Sequence, residues 1–275
     1  MVRIGLDIGT GFVKCVTDSH RFRFPTLYVR RHHGEWTKGT SEAVGQRALA
    51  MLEAPGAAAF APILRGRPDE QYGRQVEMLI SEAIGMALAG EGRKADSAEA
   101  SVVAGLPYYA AEYRDQVLKH VRRASKIKKC EVVAQAAGTL VSMDLRSGIV
   151  VSMGQGTTEI IAIDGEQVID GESSRWASDF ITRKISKFAH LDTEALKARA
   201  ATCKKYAKVL AGNLGREVRE MSARHGDSYG LVLSGGGILI PGVLDSLREA
   251  LGDLRTTVPG DPVMSNAVGL HRLAR

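Results

Sequence analysis

Two stretches in which glycines alternate with polar residues, each held between short β-branched runs, constrain this chain more than any other feature. The first runs Ile4-Gly5-Leu6-Asp7-Ile8-Gly9-Thr10-Gly11 and continues into the apolar Phe12, Val13 and Val16. The second occupies residues 148–163, where Ile149-Val150-Val151 and Ile160-Ile161-Ala162-Ile163 flank a polar segment containing Gly154 and Gly156. Each reads as strand, tight turn, strand. Glycines alternating with hydroxyl residues at a hairpin tip let backbone N–H groups crowd around an anion, because no Cβ blocks its approach. Two such tips predict two jaws that close on one phosphate chain.

The rest of the chain supports a duplicated α/β arrangement. A third strand is expected over Arg21-Phe22-Arg23-Phe24, stopping at Pro25. Residues 28–71 read as irregular, with Arg31-His32-His33-Gly34, Ala54-Pro55-Gly56-Ala57 and Arg65-Gly66-Arg67-Pro68 as breakers, and suggest an inserted, surface-facing subdomain. Val76, Leu79, Ile80, Ala83, Ile84 and Ala87 carry helical spacing. Strands follow over 100–106 and 131–135, separated by a helix through Val117 and Val121, and a short helix over 136–143 leads into the second glycine hairpin. Val168 and Ile169 continue that sheet. Residues 179–188 are expected to be helical, and 194–224 to form one or two helices weakened at Gly212 and Gly215. An apolar strand, Leu231-Val232-Leu233, then feeds Gly235-Gly236-Gly237, and helices through Leu251 and over 265–273 close the chain. The repetition is large in scale: each half begins with a glycine hairpin and continues with strand and helix.

With 275 residues there is room for two modest domains with real cores. Cys15, Cys130 and Cys203 are far apart and form no Cys-x-x-Cys, which argues against a disulfide framework or a zinc or iron–sulfur site. His32-His33 has no further ligands at useful spacing and reads as surface loop. Trp36 and Trp176 read as packing residues. No apolar run is long enough to span a membrane and the first residues lack a signal-peptide layout, so the expected location is the cytoplasm. The net charge of +6, from 37 basic and 31 acidic residues, specifies no partner. Lys119, His120, Arg122, Arg123, Lys126, Lys128 and Lys129 form a basic cluster without a recognition helix or interleaved aromatics. It reads as a solvated face, and direct nucleic-acid or membrane contact is not indicated.

Three motifs in one order give a resemblance. Asp7-Ile8-Gly9-Thr10-Gly11-Phe12-Val13-Lys14 matches the actin form of a first phosphate loop, Asp-x-Gly-Ser/Thr-Gly-x-x-Lys, at every defined position. Ser152-Met153-Gly154-Gln155-Gly156-Thr157-Thr158-Glu159 resembles the second phosphate loop, and Leu233-Ser234-Gly235-Gly236-Gly237-Ile238 with Pro241-Gly242 resembles the adenosine motif. The chain thus resembles the actin-like ATPases, which include sugar kinases and the seventy-kilodalton chaperones. Asp261-Pro262 and Ser265-Asn266-Ala267-Val268-Gly269-Leu270 resemble the closing helix of plasmid-segregating and archaeal members. Sugar kinases and chaperones need more chain than is present here, and the activators of radical enzymes need cluster-binding cysteines.

The resemblance implies a two-domain, ribonuclease H-like fold with ATP and Mg²⁺ in a cleft between the halves. One half would be residues 1–135, with the insertion at 28–71 and the closing helix 265–275. The other would be 136–264, its own insertion reduced to His190-Leu191-Asp192-Thr193. Asp7 would hold the metal through water. The amides at Gly9, Thr10, Gly11 and Phe12 and the Lys14 ammonium would take the β-phosphate, while Gly154, Gln155, Gly156 and Thr157 would enclose the γ-phosphate. Gly235, Gly236, Gly237 and Ile238 would lie along the adenosine. Hydrolysis mainly requires a group that places water, since catalysis here is placement and charge stabilisation. Gln135, at a strand end seventeen positions before Ser152, fits that role, and Glu131 is the alternative. Ser152 stands where the family usually has an Asp, and a serine brings no charge to the metal's waters. The resemblance therefore implies either a filament-forming ATPase for cytoskeletal positioning or DNA segregation, or a nucleotide switch or scaffold that hydrolyses ATP poorly. Self-association and an adaptor protein are the partners it implies.

Overall fold

The computed structural model describes residues 1–33, 39–94, 99–124, 127–165, 167–186, 189–226 and 229–275. Trp36 and Lys126 lie outside these residues, as does the end of the helix expected to reach Phe188.

The chain opens with a meander of β1 (Val2–Ile8), β2 (Phe12–Val16) and β3 (Arg21–Pro25). An insertion follows, comprising β4 (Tyr28–His32), β5 (Thr40–Val44), α1 (Gly45–Met51), β6 (Ala57–Phe60), β7 (Ile63–Leu64) and β8 (Arg67–Pro68). Helix α2 (Gly73–Gly90), β9 (Ala100–Leu106), α3 (Arg114–Ala124) and β10 (Ile127–Ala134) complete a five-stranded sheet of order β10-β9-β1-β2-β3. Then α4 (Ala137–Ser142) leads to a second meander, β11 (Gly148–Met153), β12 (Thr158–Asp164) and β13 (Gln167–Ser174). Next come α5 (Asp179–Thr182), α6 (Thr193–Ala198), α7 (Ala200–His225), β14 (Leu231–Ser234), α8 (Val243–Leu251), β15 (Thr256–Thr257) and α9 (Ser265–Leu273). The second sheet has the order β13-β12-β11-β14-β15. Both sheets thus share one plan, an antiparallel three-strand meander whose first strand also pairs in parallel with a strand returning from a helix.

Strand chemistry explains the plan. All seven residues of β9 are buried, as a parallel strand covered on both faces requires. One core joins the first sheet to α2 and α3 through residues such as Ile4, Leu79, Ile84 and Val121, and another joins the second sheet to α7 and α8 through Ile149, Leu210, Leu214 and Leu247. Helix α9 returns to the first sheet. Leu270 and Ala274 pack with Val103, and a Cβ on Gly5 would stand only 2.2 Å from the His271 nitrogen. Helix α4 meets α9 just as closely, because a Cβ on Gly269 would lie 1.8 Å from the Gly138 carbonyl oxygen.

Five expectations are corrected. The described residues of 28–71 form a three-stranded sheet β5-β4-β6 plus the β7–β8 hairpin. The alanines and charges of these short strands hide a small satellite core of Leu27, Val29, Ala43 and Ala48. Helix α7 runs unbroken through Gly212 and Gly215, and the break falls earlier, at Arg199. Gly215 admits α8, since a Cβ there would sit 2.9 Å from that of Ala250. Helix α5 stops at Thr182, and β10 begins at Ile127 rather than Glu131. Within the basic cluster His120 turns inward, 7% exposed, with its Nδ1 2.9 Å from Glu77 Oε2. Trp176 packs edge-on against Phe180, with ring centroids 5.1 Å apart.

Candidate functional site

The two hairpins superimpose residue for residue in the sequence, Asp7 to Lys14 against Ser152 to Glu159, and their local bonding matches. Gly9 N–H donates to the Phe12 carbonyl at 3.1 Å, and Gly154 N–H to the Thr157 carbonyl at 2.9 Å. Strand register then places the chemistry. Asp7 lies opposite Lys14 across β1 and β2, and Ser152 opposite Glu159 across β11 and β12. In the first hairpin the pair is ionic: Lys14 Nζ donates to Asp7 Oδ2 at 2.7 Å, with Asp7 1% exposed. Thr26 braces this tip, donating from its Oγ1 to the Gly9 carbonyl at 2.7 Å.

The tips meet. A Cβ on Gly11 would stand 3.0 Å from that of Gln155, and one on Gly156 would stand 3.1 Å from Thr10 Cγ2. Gln155 is locked on its own side, accepting from Ser178 Oγ at 2.8 Å and donating to Thr182 Oγ1 at 3.0 Å. The insertion joins the contact, as Gly66 N–H donates to Thr10 Oγ1 at 2.7 Å. Beside the tips lies a cleft of about 350 Å³, walled by Asp7, Gly9, Thr10, Gly11, Phe12, Lys14, Gln135, Ser152, Gly154, Gln155, Thr157 and the three glycines Gly235, Gly236 and Gly237. Gly235 has φ +86°, and a Cβ there would collide with the Met153 carbonyl oxygen at 2.3 Å, so this backbone path requires glycine.

Three expected site residues stand elsewhere. Gly156 lines a larger adjoining cleft of about 1090 Å³ with Arg65, Arg67, Arg175 and Arg183. Ile238 points into the second core at 2% exposure, because the turn after the glycines needs an apolar anchor. Glu131 sits mid-strand opposite Val103 and faces solvent, whereas Gln135, whose N–H bonds the Leu106 carbonyl at 2.8 Å, lies just past the strand end on the cleft wall.

Several site residues escaped the sequence reading. Asn266 on α9 reaches Ser152, Nδ2 to Oγ at 3.4 Å, while its Oδ1 accepts from Thr139 Oγ1 at 2.7 Å. The Thr139 hydroxyl also lies 3.1 Å from Ser234 and 3.0 Å from Ser265, so α4, β14 and α9 share one buried hydroxyl cluster behind the second loop. His190 lines both clefts edge-on to Phe12, and burial together with the Arg183 charge pushes its pKa down to about 4. Glu159 is fully buried. Burial, reinforced by the Asp7 charge, raises its pKa to about 7 against the opposing hydrogen bonds from Tyr108 N–H and Gln135. Glu159 directly precedes the apolar run Ile160–Ile163, and such residues are almost never fully buried without a partner.

The chemistry of the cleft suits a phosphorylated ligand: close-lying glycine backbone, with Lys14 paired to the buried Asp7 carboxylate. Among the described residues no group of three or more His, Cys, Asp or Glu side chains is placed to hold a metal ion. A single carboxylate with hydroxyls and waters fits magnesium, which keeps much of its hydration and uses phosphate oxygens.

No protein-family description matches the sequence, and no curated protein matches it. Solved structures do. The chain is similar to the MamK double helical filament at 16% identity, covering 99% of this chain and 98% of that one with a TM-score of 0.79. It is similar to a non-polymerising MamK variant bound to AMPPNP at 19% identity, with coverage of 99% and 98% and a TM-score of 0.70. It also resembles MreB5 of Spiroplasma citri bound to ADP at 15% identity, with coverage of 97% and 94% and a TM-score of 0.66. Likeness over nearly the whole of each chain, together with two sheets of the same plan and a cleft where their hairpins meet, shows that this protein has the actin-like fold.

Proposed function

We propose that this protein binds ATP with Mg²⁺ in the cleft between its hairpins, hydrolyses it, and self-associates into filaments that position cargo or segregate DNA in the cytoplasm. The observation that carries this reading is the tip-to-tip meeting of the hairpins beside a cleft that gathers Asp7, Lys14, Gln135 and the triple glycine. Residues 1–135 with 265–275 act as one jaw and 136–264 as the other. Asp7 orients the metal's waters, Lys14 balances phosphate charge, and Gln135 orients the attacking water. Mg²⁺ supplies charge neutralisation at the phosphates. That a MamK structure is a filament and that MamK and MreB5 structures carry AMPPNP and ADP supports self-association and nucleotide binding here.

One observation favours a second reading, a non-polymerising nucleotide switch or scaffold with weak turnover. Ser152 offers the metal's waters an uncharged hydroxyl, already approached by Asn266. Binding and turnover of ATP separate the roles. Asp7→Ala is expected to weaken binding of a fluorescent ATP analogue in Mg²⁺ at least about tenfold, the scale of one lost charged contact. Gln135→Ala should bind normally and hydrolyse about a hundredfold more slowly, and Glu131→Ala should do both normally. Loss of turnover in Glu131→Ala alone would show that Gln135 is the wrong residue.

A further inference from the structure

The formal charge of the chain is concentrated in one stretch. Residues 175–210, which lead from the end of β13 into the first turns of α7, hold nine Lys and Arg against three acids, and that surplus of six equals the net charge of the whole chain. All three acids are engaged. Asp179 pairs with Arg183 at 3.1 Å, Glu194 pairs with Lys197 at 2.9 Å, and Asp192 caps α6 by accepting the Ala195 N–H. Among the described residues no carboxylate pairs with Arg175, Lys184 or Lys205. Aromatic rings stand beside these cations instead. Trp176, Phe180 and Tyr206 form a half-buried row, edge to face, with centroids 5.1 and 6.0 Å apart. Arg175 lies over the Trp176 ring at 5.6 Å, and Lys184 and Lys205 each lie over the Tyr206 ring at 5.7 Å. Only the fold brings this row together, since Trp176 and Phe180 precede α6 and Tyr206 belongs to α7.

We propose that this strip binds single-stranded nucleic acid, with phosphates on Arg175, Lys184 and Lys205 and a base on Tyr206. Cations without acids suit a polyanion, and the rings select which one. Each exposed base of a single strand has a π-face to lay on a ring while its phosphate meets a neighbouring cation. A duplex keeps its bases stacked inside and has no use for the rings. A membrane is held by apolar side chains that project, whereas these rings pack against the second core. A phosphate oxygen is a stronger partner for an exposed ammonium than a ring face, so a bound strand draws Lys184 and Lys205 off Tyr206 and opens that ring to a base. The basic cluster around α3 provides the contrast, because none of its described cations lies over a ring. The proposal does not depend on what the cleft between the hairpins binds.

The test is fluorescence anisotropy of a labelled thymidine oligonucleotide titrated with the full chain over a salt series, with excess ATP and Mg²⁺ present to compete for the cleft. The logarithm of the binding constant should fall against that of the salt concentration with a slope of about −2, the counterion release of three phosphate contacts on a single strand. Changing Arg175→Gln, Lys184→Gln and Lys205→Gln together should bring that slope close to zero. Tyr206→Leu should keep the slope and weaken binding about tenfold, the scale of one base–ring stack. Changing Lys119→Gln, Arg122→Gln and Lys129→Gln together makes the same charge change in the α3 cluster and should alter neither. Thermal melts check that each variant is folded, and if Tyr206→Leu is not, the two triple variants and a duplex competitor decide. Equal losses in the two triple variants, or a duplex held as tightly as the single strand, overturn the proposal. So do a folded Tyr206→Leu that binds like the parent and a parent that binds no oligonucleotide at low salt. Phosphatidylglycerol vesicles that bind the parent in place of the oligonucleotide would make the strip a membrane surface, and that result also overturns it.

Discussion

Asp7 and Glu159 are both fully buried acids, yet their surroundings differ. Asp7 has an ammonium at 2.7 Å, whereas Glu159 has only N–H donors and the repulsion of Asp7. The consequence is a specific pH dependence of stability. In the unfolded chain the Glu159 carboxyl titrates at the ordinary 4.5, and in the folded protein at about 7. Between those values the folded state keeps the proton that the unfolded state has released, so the contribution of Glu159 to stability falls as pH rises through the window and levels off above it. Glu159→Gln removes that penalty while still accepting the Tyr108 N–H. It should therefore match the parent near pH 4.5 and exceed it at pH 8 by at most on the order of 3 kcal/mol, as measured by urea unfolding at both pH values. A gain that is the same at both would show that the carboxyl is not held neutral.

Helix α7 shows how glycines with equal sequence signals play opposite parts within one element. Gly212 is exposed with nothing within 4 Å of a Cβ, whereas a Cβ on Gly215 would push against Ala250 of α8 at 2.9 Å. Gly212→Ala is thus expected to stabilise the protein by about 0.5–1 kcal/mol through helix propensity alone. Gly215→Ala should destabilise it by about 1–3 kcal/mol by forcing the helices apart. Thermal melts of the two variants should move in opposite directions, and parallel shifts would refute the packing role of Gly215. The same comparison marks what the sequence makes legible. Helical and strand periodicity is visible in α2 and in the glycine hairpins, because one-sided burial writes it into the residues: Val76, Leu79, Ile80, Ala83 and Ile84 are all buried. Whether a glycine breaks a helix or receives a neighbour depends on α8, which lies some thirty residues further along the chain. The β4–β6 sheet was hidden for a similar reason, its charged and, in β6, alanine-rich strands being fixed by pairing and not by propensity. At the site, Asp7, Lys14 and Gln135 were readable from local motifs. Asn266 and Glu159 were not, because their meaning comes from a partner on another element.

At the scale of the whole molecule, the two halves meet at the cleft through Gly11 against Gln155, Gly156 against Thr10, Phe12 edge-on to His190 and the Tyr108 N–H bond to Glu159. Because the two hairpin tips touch directly, a ligand that grips both favours the arrangement in which they close. Any surface that spans both halves is complete only in that arrangement, so self-association and nucleotide occupancy should be coupled. The expected result is that the protein pellets, and shows filaments by negative-stain imaging, in ATP with Mg²⁺, and pellets markedly less in ADP or without nucleotide. Asp7→Ala should pellet equally little under all three conditions, since its cleft no longer reports the nucleotide. Pelleting that ignores nucleotide would detach assembly from the cleft. A chain that stays monomeric at high concentration in ATP and Mg²⁺, yet binds the nucleotide, would make the hairpins the jaws of a switch, with Ser152 the reason it closes without turning over.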